Sequence, residues 1–404
     1  MNLLTVFFQH KHLIEVIICI SLFNLSCTQK KHKPSSPQLE PQKLYEYTVI
    51  PPEDYTMGQL RFEFEINNTG SRLAFYDQTM NKMLVTDSLG NVIHILGRAG
   101  RGPGEFEKVI SFVFDENDYL VIYDDSQKMV KIFDDTGKFY HSFEVQNAGE
   151  LSIVGTTIEA WKGRIYFGAI ETQYLPKTPN IGTSKSVAEF DYRGTFLGGF
   201  GQYDSLSSLS KDYYMYSEVT LDKARNRLYT NRSNGYVLEG WNLGTKERVD
   251  VIAQEPFNFS EPEKYISAYQ PFSKINEQAI GHTVGVSLHI GSHHNYLILS
   301  NSTEKWANTT TRDHYTKDHY VIMYDKKGVL LGETSIESLP GTVLGDQLHL
   351  IENDDPDNYT IGVYEFSLDY TFFISSSFYG AMSTQRVWCA LLFRTEFNRV
   401  FKPY

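Results

Sequence analysis

The sequence predicts an all-β chain, a six-bladed β-propeller of four-stranded antiparallel blades behind a signal segment and a flexible tether. Three observations predict it. The stretch from Leu96 to Val145 holds four short apolar runs: Val109 to Asp115, Tyr119 to Asp124, Met129 to Asp134 and Lys138 to Val145. Runs of this length, rich in Val, Ile, Phe and Tyr and bounded by Asp, Asn, Gly and Ser, are strands and too short for helices. The turn Asp134-Asp135-Thr136-Gly137 has counterparts along the chain, and the turn glycines Gly90, Gly137, Gly194, Gly244 and Gly328 lie 47, 57, 50 and 84 residues apart. A single four-stranded sheet buries neither face unaided, so copies must pack beside it.

Taken in order, Met1 to Ser26 reads as a secretion signal, with an apolar run of 13 residues from Leu13 to Leu25 that is too short to span a bilayer. Cys27 follows directly, and Phe23-Asn24-Leu25-Ser26-Cys27 resembles a lipobox, which implies a lipid on Cys27. Cleavage without lipid and an uncleaved anchor are the alternatives. Residues 27–43, with Lys30, Lys31, Lys33, Pro34, Pro37 and Pro41, read as a disordered tether. Thr28 after the cysteine, together with a basic tether, implies an outer-membrane lipoprotein facing the periplasm.

The propeller is expected from residue 44 to 404. Blade one takes Leu60 to Ile66, Arg72 to Asp77, Lys82 to Asp87 and Asn91 to Leu96. Blade two is the stretch above. Blade three takes Val154 to Trp161, Arg164 to Ile170, Lys185 to Asp191 and Phe196 to Phe200; blade four takes Ser217 to Asp222, Arg227 to Arg232, Tyr236 to Asn242 and Glu247 to Ala253. Blade five takes Val284 to Ile290, Tyr296 to Asn301, His319 to Asp325 and Val329 to Ile336. A sixth includes Gln347 to Glu352 and Thr360 to Phe366, and is completed by Phe372 to Phe378, by the C-terminal tail or by Leu44 to Ile50. Closure by strands from both chain ends would hide edges that invite aggregation.

The landmarks between Gly97 and Gly137, a GxxGxGPGEF lead-in, a YLVxD-like strand and a KxVxxFDxxG strand, resemble NHL-type repeats. The whole chain is similar to the six-bladed NHL- or TolB-like propeller lipoproteins of Gram-negative bacteria. Related six-bladed folds include metal-dependent lactonases and lyases that gather ligands in the central channel. That resemblance implies an alternative, a metal-dependent hydrolase or lyase in which His289 and acidic neighbours hold the ion.

The leading expectation is binding without chemistry and without a cofactor. In a propeller, the connections from second to third strand and from each fourth strand to the next blade share one face. The long segments Gly97 to Lys108, Glu171 to Ser184, Gly201 to Tyr216, Gln254 to His282 and Ser302 to Asp318 all fall there, on a rigid scaffold of the kind that carries binding loops. Tyr203, Tyr265, Tyr269, Trp306 and Tyr315 suit the faces of a carbohydrate or an extended peptide, and Arg98 and Arg101 suit an anionic group. Packing of these aromatics as a cap over the ring is the bland alternative, and docking of another envelope protein is a third reading. Glu261 to Gln270 reads as a short helix. The Gly-rich loop lacks a P-loop Lys-Ser/Thr and leads into a strand, so it offers no phosphate site. A net charge of −12 argues against nucleic acid. Of Cys19, Cys27 and Cys389, only the last stays free in a lipidated mature chain, and it reads as a buried apolar residue.

Overall fold

The computed structural model describes residues 37–145, 150–171, 184–202, 217–232, 235–260, 283–302 and 317–368. These form six four-stranded antiparallel sheets. Blade one is β2 (Leu60–Ile66), β3 (Arg72–Asp77), β4 (Lys82–Asp87) and β5 (Val92–Leu96), after an opening strand β1 (Leu39–Thr48). Blade two is β6 (Val109–Phe114), β7 (Leu120–Asp124), β8 (Met129–Phe133) and β9 (Phe139–Glu144). Blade three is β10 (Leu151–Trp161), β11 (Arg164–Glu171), β12 (Val187–Asp191) and β13 (Phe196–Phe200). Blade four is β14 (Ser217–Asp222), β15 (Arg227–Arg232), β16 (Leu238–Asn242) and β17 (Arg248–Ile252). Blade five is β18 (Thr283–Ile290), β19 (His294–Ser302), β20 (Lys317–Asp325) and β21 (Leu330–Ile336). Blade six combines β22 (Leu339–Leu344), β23 (Gln347–Asn353) and β24 (Thr360–Leu368) with β1 as its outer strand. The first strands touch in sequence from β2 to β22 and back to β2, so the ring is closed.

Ring closure corrects two expectations. Residues 39–43 do not belong to the tether: Leu39 pairs with Leu368 and the ladder runs on to Thr48 against Thr360. The inner strand of blade six is β22, which lies ahead of the segments expected to complete that blade. Phe372 to Phe378 and the C-terminal tail lie outside the described residues.

The apolar core is divided among the gaps between blades. Among the described residues, buried side chains form six clusters, one in each gap. Strand periodicity assigns them: on β7, Leu120 and Ile122 face blade one while Val121 and Tyr123 face blade three. On β19, Leu297 and Leu299 face blade four while Tyr296 and Ile298 face blade six. Both faces of a middle strand are therefore covered, which is why Leu120–Asp124 is buried at every position and reads as a continuous apolar run.

The recurring Asp-x-x-Gly turn has a mechanism. Oδ1 of Asp87 accepts the backbone N–H of Leu89 and Asn91, both at 2.9 Å. Asp134, Asp191 and Asp325 repeat the same two bonds to the residues two and four places on. The glycine then takes φ of +90° at Gly90 and +84° at Gly194. It is also where each turn meets the outer strand of the preceding blade. A Cβ on Gly194 would come within 2.6 Å of the Phe143 side chain, and one on Gly90 would run into the Thr48 carbonyl. Blade four differs: its turn is one residue longer, Asn242 supplies the side-chain acceptor, and Lys246 rather than Gly244 takes positive φ.

Candidate functional site

The first strands of all six blades surround a central channel of about 610 Å³. An inner strand has one unpaired edge, and its backbone groups need partners. Side chains from the neighbouring blade supply them. Arg61 donates to Val109 O at 2.8 Å, and Ser111 Oγ accepts from Ile158 N at 3.0 Å. Thr157 Oγ1 and Glu159 Oε1 accept from Val219 N and Leu221 N at 2.7 and 3.1 Å, and the Thr220 hydroxyl donates to Leu288 O at 3.2 Å. Much of the polar wall thus laces one blade to the next.

The rest of that wall carries charge. Glu63 and Glu65 alternate with Phe64 on β2, Glu159 lies on β10, and Lys223 follows β14. Lys223 Nζ donates to Asn68 Oδ1 at 2.6 Å, and Asn68 Nδ2 donates to Asp115 O at 3.2 Å. Those bonds tie the first turns of blades four, one and two together and lay a bar across the tight-turn end of the channel. The Trp161 ring lies 5.6 Å from the same ammonium, within cation–π range. Burial raises Glu65 well above the usual carboxylate range, and the charge of Glu159 adds to it while Lys223 opposes it. Burial likewise lifts Glu159 to about 7, against the pull of Lys223 and the Leu221 N–H.

Glu159 is therefore expected to titrate near neutrality. The folded chain holds this proton after the unfolded chain has released it, so stability from this group is lost as pH rises from about 4.5 to 7. Chemical unfolding across that range should show a shallower decline for Glu159→Gln, which stays neutral throughout. An unchanged slope would mean that the carboxyl meets water freely.

His289 lines the channel from β18, as expected of a residue on an inner strand. Its Nε2 lies 3.1 Å from Ser287 Oγ, and burial alone lowers its pKa to about 4. No carboxylate contributes to that shift, and no group of three His, Cys, Asp or Glu side chains among the described residues could hold a metal. His293 and His294 sit on the tight turn of blade five, where Asp346 of blade six accepts both backbone N–H groups at 3.0 Å and pairs with His293 Nδ1 at 2.6 Å.

Arg98 and Arg101 are exposed, but each faces a carboxylate of its own loop. Arg98 Nε donates to Glu105 Oε1 at 2.7 Å, and Arg101 Nε lies 3.2 Å from Glu107 Oε2. The loop itself is fixed from beneath. Asp124, fully buried at the end of β7, accepts from the backbone of Glu107, Lys108 and Gln127 at 2.8, 3.2 and 3.2 Å. Lys131, buried on β8, lies 3.6 Å from that carboxylate and donates to Gln127 Oε1 and to the Glu105 carbonyl. Asp77 does the same for blade one, accepting from Tyr55 Oη at 2.8 Å and Gly58 N at 2.7 Å. The shared Tyr-Asp at the end of β3 and β7 was the sequence signal for this role. Cys27, Tyr203, Tyr265, Tyr269, Trp306 and Tyr315 lie outside the described residues, as does Glu261 to Gln270.

A family model described as a 6-bladed beta-propeller matches residues 61–146, which are blades one and two. No curated protein matches the chain in sequence. Among solved structures, a member of the DUF4221 family from Bacteroides vulgatus is 10% identical, with 83% of this chain and 100% of that chain covered and a TM-score of 0.59. A protein from Bacteroides fragilis, provisionally named as exported, is 11% identical, with 84% and 98% covered and a TM-score of 0.51. A gluconolactonase from Xanthomonas campestris is 12% identical, with 84% and 99% covered, but its TM-score of 0.43 carries no argument. At these identities the likeness shows the fold alone.

Proposed function

We propose that the chain is a lipid-anchored envelope protein, attached through Cys27, that binds a carbohydrate or peptide at the long-segment end of its ring and performs no chemistry of its own. The observation that supports this reading is the asymmetry of the channel. Its tight-turn end is barred by Lys223 and Asn68 at 2.6 Å. The strand ends from which residues 172–183, 203–216, 261–282 and 303–316 depart all belong to the opposite end. A ligand entering there reaches a polar floor of Glu65, Glu159 and Lys223, which suits hydroxyls and peptide groups. The provisional export name of the Bacteroides fragilis neighbour agrees with an envelope address.

Thermal unfolding of residues 37–404 against oligosaccharides, peptides and divalent ions tests the reading. A ligand at 100 times its Kd should stabilise the fold by about 2.7 kcal/mol. Trp306→Ala should remove the shift without changing the unliganded melting temperature. Destabilisation by a chelator, reversed by one metal, would replace binding by metal chemistry. Co-purification of an envelope protein with no small-molecule shift would replace it by a scaffold.

A further inference from the structure

The ring is closed by β1, and the contact that seats this strand is built around one histidine. His349, on β23, is 4% exposed, and its Nδ1 lies 3.3 Å from the Tyr47 hydroxyl on β1. The two rings are 6.2 Å apart. Nε2 of His349 is buried with no hydrogen-bond partner among the described residues. Around it, β22 presents Thr342, β24 presents Val363, and blade one presents Phe64 beside Gly341. Tyr47 and, in the same gap, Tyr55 and Tyr359 are the titratable groups of this apolar cluster. On the blade's surface, Lys43, Glu46 and Glu352 pair with one another and Asp346 pairs with His293. None of them contributes to the shift of His349, whose pKa is lowered to about 4 by burial alone.

We propose that protonation of His349 unclasps β1, making the closing seam the acid-labile part of the propeller. A proton on the seated ring places a cation among apolar side chains, with no carboxylate beside it and Nε2 without an acceptor. When β1 lifts away, Tyr47 leaves with it, and His349 reaches water and binds a proton at its ordinary pKa of about 6.5. The open form thus holds more protons than the closed form as pH falls through 6.5 toward 4, and acid favours opening over that window. With those two values the ratio of open to closed seam rises roughly 20-fold between pH 7 and pH 5. His289 titrates in the same direction, but it lies on β18 and touches neither β1 nor blade two.

Hydrogen exchange of the full chain at pH 7 and pH 5, corrected for intrinsic chemistry and resolved by peptide, tests this. In the unaltered protein, opening of the peptide over Leu39–Thr48 should become roughly 20-fold more frequent relative to the peptide over β7 and β8. In His349→Gln the two peptides should respond alike. If the seam rejects an amide, His349→Leu provides the same neutral comparison. Tyr47→Phe, which removes the hydroxyl but keeps the ring buried over His349, should retain the acid response. An acid response that survives in His349→Gln or His349→Leu overturns the proposal, as does loss of protection in β1 and blade two in step.

Discussion

Asp124→Ala should cost about 3–5 kcal/mol of folding stability, the range for removing one partner of a buried ion pair. The carboxylate and the Lys131 side chain are 0% and 1% exposed, so neither charge has water to fall back on. Besides Lys131, the carboxylate takes the Gln127 amide at 2.9 Å and backbone N–H groups from both the incoming loop and its own turn. Its removal strands those donors together with an ammonium. Lys131→Met should cost less, since the carboxylate then keeps its N–H donors and the methionine fills the space of the lysine stem. Burial already depresses the Lys131 pKa, with Asp124 as the strongest opposing influence, so the lysine depends on the carboxylate more than the reverse. Urea unfolding of the two variants decides the order. Equal losses would mean that the pair acts only as a pair, and a loss under about 0.5 kcal/mol for Asp124→Ala would remove it as the anchor of the Gly-rich loop.

The Gly-rich lead-in and the acidic turn are also where sequence reading and structure agree most closely, because both are local and each has one physical task. The middle strands were legible for a related reason: both faces of Leu120–Asp124 are covered, so the apolar run is unbroken. β22 was not legible. It reads LPGTVL, with a proline and a glycine in a strand whose residues are all half-buried, and Gly341 is there because a side chain would strike the His349 backbone. β1 was legible only from Leu44 onward. Every residue from Glu40 to Glu46 meets solvent, so Leu39 to Lys43 has the composition of a tether. The channel was beyond sequence altogether. Lys223 and Asn68 are 155 residues apart, and only the opposition of blades four and one brings them together.

Removing β1 should cost the chain much of its stability rather than merely shorten it. Leu39, Tyr47 and Val49 are 3%, 9% and 3% exposed, and they fill the gaps on both sides of blade six. Each such burial contributes about 1.5–3 kcal/mol, so the three approach the ~5–15 kcal/mol by which a whole domain is stable. The ladder adds to this: with β1 gone, β24 becomes a bare edge from Thr360 to Leu368. Blade one loses its brace as well, because Ile50 N donates to Gly90 O at 2.8 Å and Val92 N donates to Ile50 O at 2.9 Å. A chain starting at Pro51 should therefore melt well below residues 37–404 and self-associate through the bare edge, as read by circular dichroism and size exclusion. A synthetic peptide of residues 37–50 should restore the melt by donating the missing strand. If the truncated chain instead melts as the longer one does, five complete blades carry the ring by themselves, and an acid-sensitive seam at β1 could not govern its integrity.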